Sequence, residues 1–343
     1  MSAPIRYRAP AWQGLNAAEP IYTSVDVQLA ADVMHALGTR GELQRIANIG
    51  DDSSVFLRLD STDAQPRFLK VVSQQRRSAL EDAEMLAGWL QDAAMPVVAS
   101  ERTCSLADGR QVWVYPFHAG RPPNAQLSDM AMIGSALGKL HAALQQHPLT
   151  GQWKQQTDAR ILRLMNVREK VARGALRAGP DAQTFQEIAS DRSIALHPDM
   201  FTELGPRTPL HGDLNRFNML INHDGCAFLD FEDVQHSMFP AMFDLATVIE
   251  RVVLVSPDAG SQTQHIEALL NAYRVERPDV DLERGFQALP DIQRSIALRS
   301  LCILAETDAP GLHVDEWSKF FDLISLAEGS NAHITTSNGK GIS

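Results

Sequence analysis

The sequence predicts a two-lobed α+β protein, with an N-terminal lobe built on an antiparallel sheet and one main helix, and a mostly helical C-terminal lobe. Three observations carry that prediction. Between residues 42 and 117 short apolar runs alternate with turn signals, which is the texture of strands. From residue 128 onward the apolar positions recur at helical spacing. Within that helical part, NMLIN and CAFLDF flank His223-Asp224-Gly225, so residues 218–231 read as a β-hairpin.

The elements follow in order. The first residues carry Pro4, Pro10, Gly14 and Pro20, and 1–23 is expected to be an extended arm. Ser24 is placed to cap a helix through VDVQLAADVMHAL, ending at Gly38. LQRIANI, SVFLRLD and RFLKVVS read as three strands, separated by Gly50-Asp51-Asp52 and by the polar stretch 61–66. Residues 77–94 return to helical spacing, with Leu80, Ala83, Leu86, Ala87 and Leu90 on one side, and Pro96 closes that helix. VVASERTCSL and RQVWVYPF, joined at Asp108-Gly109, supply two further strands. The composition changes at Gly120-Arg121-Pro122-Pro123, which divides an N-terminal lobe, 1–117, from a helical lobe, 118–328. Helices are expected over 128–146, 158–175, 182–191, 240–256, 262–273 and 285–305. The polar, small-residue tail 329–343 is expected to be disordered.

Composition narrows the function. With 31 Lys+Arg against 42 Asp+Glu, the net charge of −11 counts against DNA or RNA as a partner, since such binding rests on clustered cations. The same acidity suits a cationic small molecule, and equally suits plain solubility. No run approaches the roughly 18 apolar residues needed to cross a bilayer. The start, MSAPIRYRAPAWQGL, lacks the apolar core of a signal peptide. Cys104, Cys226 and Cys302 are far apart and odd in number, which speaks against a disulfide framework or structural zinc and for a reducing, cytoplasmic compartment.

The chemistry concentrates in LHGDLNRFNMLINHDGCAFLDFEDVQHSMFPAMFDLA, residues 210–246. Asp213 lies in a polar loop, Asn218 begins the first hairpin strand, and Asp230 ends the second. A hairpin folds back on itself, so Asn218 and Asp230 are expected at one end of it. Their oxygen donors suit a hard cation such as Mg2+, which keeps several waters and needs few protein ligands. One or two carboxylates suffice for such an ion, so one of Asp213 and Asp230 is free to accept a proton from an attacking hydroxyl. Taken singly, these residues also suit a surface loop, because Asp, Asn and Gly are common in turns.

The order of these elements resembles the catalytic segment of the protein-kinase-like fold, and more narrowly the aminoglycoside phosphotransferase and choline kinase group. The matching motifs are His211-Gly212-Asp213, Asn218, Asp230-Phe231-Glu232 and Asp244-Leu245-Ala246. The resemblance implies Asp213 as catalytic base, Asn218 and Asp230 as magnesium ligands, and Asp244 as a brace for the catalytic loop. It implies ATP as the phosphoryl donor and a small-molecule hydroxyl as acceptor. His211 is then expected to order that loop, and His141, in LGKLHAAL, to be a packed structural histidine.

Such a site also needs a cation for the α- and β-phosphates, held by a helix glutamate. Lys70 sits in the apolar strand RFLKVV, where an ammonium needs a partner or an opening. Glu84 is its expected partner, with Glu81 as the alternative. The turn Asn48 to Ser54 stands where the phosphates would be covered; Ser53 and Ser54 can donate to phosphate oxygens, and an ordinary hairpin turn fits as well. In the linker, VWVYPFHAGRP aligns Tyr115 with the gatekeeper, Pro116 with the carbonyl that meets adenine and His118 with the N–H.

Phe217 stands where a small residue is often found before the asparagine and narrows the space there, and it is preceded by Arg216. Arg216 can contact transferred phosphate or an anionic substrate group, as in homoserine-kinase-like members, and a solvent-exposed role is the alternative. Trp153, Trp317 and Phe320-Phe321 fit either core or a substrate pocket, and Glu306 and Asp308 are candidates for a cationic substrate. The expected function is an ATP- and Mg2+-dependent phosphotransferase acting on an aminoglycoside-like, amino-alcohol or sugar hydroxyl. The alternatives are a kinase of an amino-acid alcohol and a nucleotide-binding regulatory pseudokinase.

Overall fold

The computed structural model describes residues 21–46, 54–61, 65–254, 262–307 and 314–337, and among these three β-sheets form. The first is a six-stranded antiparallel sheet of β1 (Tyr22–Ser24), β2 (Gly41–Ile46), β3 (Ser54–Ser61), β4 (Arg67–Val72), β5 (Arg102–Ser105) and β6 (Gln111–Pro116), ordered β1-β2-β3-β4-β6-β5. A short ladder pairs β7 (Thr208–Pro209) with β10 (Met238–Phe239), and a hairpin pairs β8 (Met219–Asn222) with β9 (Gly225–Phe228). By its contacts the chain forms two units, one holding Gly14–Pro122 with Phe217–Glu232 and the other Pro123–Arg216 with the chain from Asp233 on.

In the first unit, strand alternation separates two faces of the sheet. Leu57, Leu59, Leu69, Val71, Val112 and Val114 point one way and are buried against Leu29, Val33 and Leu37 of α1 (Val27–Leu37). Those three helix positions are four apart, so they form a single stripe. The opposite face carries Phe56, Lys70 and Trp113 in one cross-strand row, then Arg58, Phe68 and Tyr115 in the next. Helix α2 (Arg77–Asp92) buries Leu80, Ala83, Leu86, Ala87 and Leu90, the stripe its spacing predicts.

Some expectations change. Ser24 pairs with Gln44 as part of β1 and does not cap α1; Asp26 does, accepting from the backbone N–H groups of Gln28 and Leu29, each at 3.0 Å. Residues 1–20 of the expected arm and the turn 47–53 lie outside the described residues. The expected strand 97–106 is narrower, because Val97 and Val98 are drawn to the hairpin instead. Val98 N–H donates to the Phe228 carbonyl (3.0 Å), and Phe228 N–H to the Pro96 carbonyl (2.9 Å). Arg121 and Ile221 exchange a further backbone pair at 2.8 and 3.0 Å. The hairpin, assigned from sequence to the helical lobe, therefore belongs to the sheet-bearing unit: its edges must find backbone partners, and segments 96–98 and 121 supply them.

The second unit contains α3 (Leu127–Leu144), α4 (Thr150–Ala172), α5 (Ala182–Ser190), α6 (Met242–Val248), α7 (Gln262–Glu276), α8 (Leu282–Gln287), α9 (Leu289–Thr307) and α10 (Val314–Ser337). The expected helix 240–256 starts as α6 and continues as a π-helical turn, Ile249–Val253. Helix 285–305 is preceded by the separate α8, and α10 runs through Ser337, where an unstructured tail is expected from 329. No proline interrupts 314–337, so each added residue gains its helical bond at little further cost. Among the described residues no helix is long and apolar enough to cross a membrane.

Helices α3 and α7 approach closely at Gly134. A Cβ there would lie 2.2 Å from the Leu269 carbonyl oxygen, which a helix backbone cannot move aside. Gly134→Val is expected to destabilise the protein by about 2–4 kcal/mol, from overpacking with forced separation of the two helices. Urea denaturation reads this directly, and an unchanged midpoint would contradict the close packing.

Candidate active site

The cation of the sheet unit comes from β4. Lys70 is 5 % exposed, flanked across the sheet by Phe56 and Trp113, and its Nζ extends to two carboxylates beyond β9. It lies 2.6 Å from Glu232 Oε1 and 3.2 Å from Asp230 Oδ2. Burial of an ammonium is unfavourable alone, and two carboxylates offset it here. Glu232 reaches on with its second oxygen to Arg76 Nη2 (2.6 Å), and Arg76 Nη1 donates to Ser54 Oγ (2.6 Å). A continuous polar chain thus runs from the start of β3 through Arg76 and Glu232 to Lys70.

Glu84 is not the partner of Lys70. Tyr115 OH donates to Glu84 Oε1 (2.6 Å) and the Ser100 backbone N–H to Oε2 (2.8 Å), so both oxygens are committed. Burial, and then the Glu84 charge, push the Tyr115 phenol well above its ordinary pKa, which keeps it a donor. Glu81 is engaged one turn away by Arg77 at 2.7 Å. The physical reason is reach. Acids at the end of the hairpin arrive at Lys70 from 160 and 162 residues away in sequence, leaving the helix glutamate to Tyr115.

The hairpin also sets the relation between Asn218 and Asp230. Leu229 N–H donates to the Asn218 carbonyl at 3.0 Å, extending the β8–β9 register by one step and bringing the two residues to the same end. Asp230 has φ +62, rare for a residue with a Cβ, and persists because the hairpin and Lys70 hold it. Among the described residues no three His, Cys, Asp or Glu side chains converge as a metal cage. Asn218 and Asp230 are an oxygen-donor pair of the kind that fits a largely hydrated Mg2+.

The remaining positions expected from the sequence to meet a nucleotide distribute as follows. Ser53 and the rest of the 47–53 turn lie outside the described residues, while Ser54 is buried and bound to Arg76. Pro116 ends β6 opposite Arg67, Phe117 N–H is taken by the Pro66 carbonyl (3.3 Å), and His118 is exposed.

The loop that carries His211-Gly212-Asp213 belongs to the helical unit. It leaves β7 with Leu210 N–H bonded to the Ser237 carbonyl at 2.9 Å. Gly212 has φ +85, and a Cβ there would lie 2.1 Å from Ser237 Oγ, so both conformation and space demand glycine. Asp244, fully buried on α6, accepts from His211 N–H (2.8 Å) and Gly212 N–H (3.0 Å). His141 Nε2 donates to the same carboxylate at 3.0 Å, and His141 Nδ1 shares a hydrogen bond with Tyr273 OH at 2.8 Å. Burial by itself would raise the Asp244 pKa, but the His141 hydrogen bond, the neighbouring histidines and the Gly212 N–H hold it below the usual carboxylate value. Burial raises the Tyr273 phenol, so it too remains protonated.

Asp213 follows directly. Its N–H points to His211 Nδ1 at 3.4 Å, and its carboxylate Oδ2 accepts from Asn215 Nδ2 at 3.0 Å. Arg216 turns to the neighbouring segment, with Nε on the Pro123 carbonyl and Nη2 on Asn124 Oδ1, each at 2.9 Å. Glu306 stands 3.6 Å from Arg163, and Asp308 lies outside the described residues.

Residues 43–281 match the family model of the APH phosphotransferase enzyme family. The chain belongs to this family. It is a small-molecule kinase of the APH type, and its two-lobed architecture is that of the family's solved structures. APH(2")-IIia in its GDP and kanamycin complex superposes with a TM-score of 0.61 at 15 % identity, over 89 % of this chain and 100 % of that one. The amicoumacin kinase hAmiN, in complex with AMP-PNP, Ca2+ and Ami, gives 0.60 at 16 %, over 89 % and 94 %. An aminoglycoside phosphotransferase from Alicyclobacillus acidocaldarius gives 0.50 at 13 %, over 93 % and 97 %. At such identities the likeness is one of fold. No curated protein matches the sequence of this APH-family kinase.

Sequence reasoning missed Arg76, Tyr273 and the bond of His141 to Asp244. Arg76 lies in a polar run, QQRR, with no periodic signal to distinguish it. The histidine offered one clue, a polar ring on an otherwise apolar helix face, which requires a buried partner somewhere.

Proposed function

We propose that this APH-family kinase transfers the γ-phosphoryl group of ATP to a hydroxyl of a small molecule. The observation that carries this reading is the meeting of Lys70 with Asp230 at 3.2 Å, a buried strand lysine set against the acid that ends the hairpin. Lys70 supplies a fixed positive charge for phosphate oxygens, and Arg76, held beside it through Glu232, adds a second. Asn218 and Asp230 would hold the Mg2+ ion, which when bound neutralises charge on the phosphates. Asp213 accepts the proton of the acceptor hydroxyl, oriented by Asn215. The oxygen so released forms its bond to γ-phosphorus as the bond to the β–γ bridging oxygen breaks, and ADP leaves with that electron pair. The rigid backing of the loop by Asp244 lets Asp213 act without reorganisation.

Lys70→Met tests the phosphate half. Glu232 keeps Arg76 as partner and Asp230 is partly exposed, so the fold is expected to survive with a melting temperature close to the wild type. The KM for MgATP is expected to rise about 10- to 100-fold, the worth of a charge-assisted bond in a shielded site. The assay couples ADP release to acceptor turnover across a panel of aminoglycosides, amino alcohols and sugars. Equal KM and kcat in the two proteins would overturn the role of Lys70.

A further inference from the structure

Beside the catalytic loop, within the helical unit, lies a group of cations that the phosphoryl-transfer roles do not use. Arg299 of α9 lays its guanidinium on the ring of Phe239, with Cζ 3.9 Å from the centroid. Its Nε is buried without a hydrogen-bond partner, and among the described residues no carboxylate pairs with it. Arg160 of α4 faces the same space and gives Nη1 to Asp233 at 2.5 Å. Arg163, one turn along α4, stands near Glu306.

Two further polar atoms there also lack partners: His236 Nδ1 and Gln156 Oε1, both buried. Gln156 is tied by its other end to Gln235, so three segments converge: α4, residues 233–239 and α9. Burial first, and then the Arg160 charge, lower the Arg299 pKa to about 9, with Asp233 offsetting only part. Burial, and then the Arg160 and Arg163 charges, hold the His236 imidazole below its ordinary value. Like charges and a buried guanidinium N–H without an acceptor are unfavourable unless an anion completes them, whereas Gln156 Oε1 is itself an acceptor and calls for a donor.

The cluster adjoins the base. Asp233, which bonds Arg160, packs against the loop so closely that a Cβ on Gly212 would lie 3.2 Å from its own Cβ, and Asp213 is the next residue.

We propose that Arg299 and Arg160 form an anion subsite for the acceptor, which is a small hydroxyl compound carrying a carboxylate or phosphate group. The reading rests on the phosphotransferase function only for the identity of the ligand as acceptor. Guanidinium groups suit such oxyanions because their N–H donors lie in a planar fork. The Phe239 ring holds one of them flat, and the subsite would anchor the acid while the hydroxyl is left to Asp213. A cationic aminoglycoside would meet repulsion at the same place, so the net negative charge of the chain does not choose its substrate.

The test compares hydroxy acids with their own amides. L-serine, L-homoserine, D-glycerate and glycerol 3-phosphate are assayed for ATP-dependent phosphorylation against the matching amides or glycerol, with wild type and Arg299→Met. The wild type is expected to favour at least one acid by about 10- to 100-fold in kcat/KM, and Arg299→Met to bring that ratio close to one. Arg299→Lys, which keeps the charge and loses the fork, is expected to fall between. The variant should melt no lower than wild type, since it removes a repulsive buried cation; a purely structural arginine would lower the melting temperature and leave the ratio alone.

Calorimetric titration of the same acids and of inorganic phosphate, without nucleotide, separates this inference from the kinase reading. If no acceptor is phosphorylated but acid binding weakens at least about tenfold in Arg299→Met, the subsite stands and the transfer reading falls. Equal acid and amide turnover, equal acid binding by wild type and variant, or binding of inorganic phosphate alone would overturn the subsite as an acceptor site.

Discussion

Asp213→Asn is expected to lower kcat by about 10²- to 10⁴-fold, the usual contribution of a positioned general base, with little change in the KM for MgATP. The substitution is nearly isosteric. Asp213 sits in the loop with its carboxylate oxygen on Asn215 and its N–H toward His211, and asparagine at this position keeps the backbone N–H and a side-chain oxygen for both contacts. The folded state should therefore be retained, with a melting temperature close to wild type. Loss of turnover with unchanged nucleotide binding would isolate proton acceptance as the missing step. Equal turnover by Asp213→Asn and wild type, on any acceptor that the wild type phosphorylates, would remove Asp213 from the role of base.

The largest effect on stability is expected at Asp244. Its carboxylate is the acceptor for two backbone N–H groups and for His141, all buried. Asp244→Ala leaves three donors facing one another with no acceptor, and a loss of about 3–5 kcal/mol follows, enough to reduce soluble yield at 37 °C. Asp244→Asn, which places an NH2 among those donors, should recover only part. Activity should fall with both, because His211 and Gly212 lose the bonds that hold the loop.

The same group predicts a pH dependence. Its folded pKa is depressed below the unfolded value of about 3.9, so its contribution to stability is fully present above that value. It is lost as pH falls from there through the lower folded pKa. Urea midpoints measured from pH 7 down to pH 3 should fall more steeply in wild type than in Asp244→Ala at the acid end. Parallel curves would show that the carboxylate is not held ionised by its neighbours.

How far these sites could be read from sequence depends on the range of the interaction. Strand β4 announces itself because Leu69 and Val71 alternate with Phe68 and Lys70, and α2 because Leu80, Ala83, Leu86, Ala87 and Leu90 recur at helical spacing. The segment 210–246 is legible because loop, hairpin and helix follow one another within a few dozen residues, and their spacing limits where each side chain falls. The Lys70 partner was not legible in the same way. A buried ammonium demands a carboxylate, but the demand does not say which one: helical spacing points to Glu84 or Glu81, and the hairpin acids Asp230 and Glu232 supply it.

Local patterning was enough for the α+β architecture, for the apolar face of each element and for the order of catalytic motifs, since these rest on periods of two and 3.6 residues within short segments. Folding in three dimensions was needed to attach the hairpin to the sheet-bearing unit, to give Glu84 to Tyr115, to join Tyr273 and His141 to Asp244, and to gather Arg160 and Arg299 beside the loop. Hydrogen bonds and ion pairs act over about 3 Å and ignore separation along the chain, so their partners are settled by packing and not by spacing.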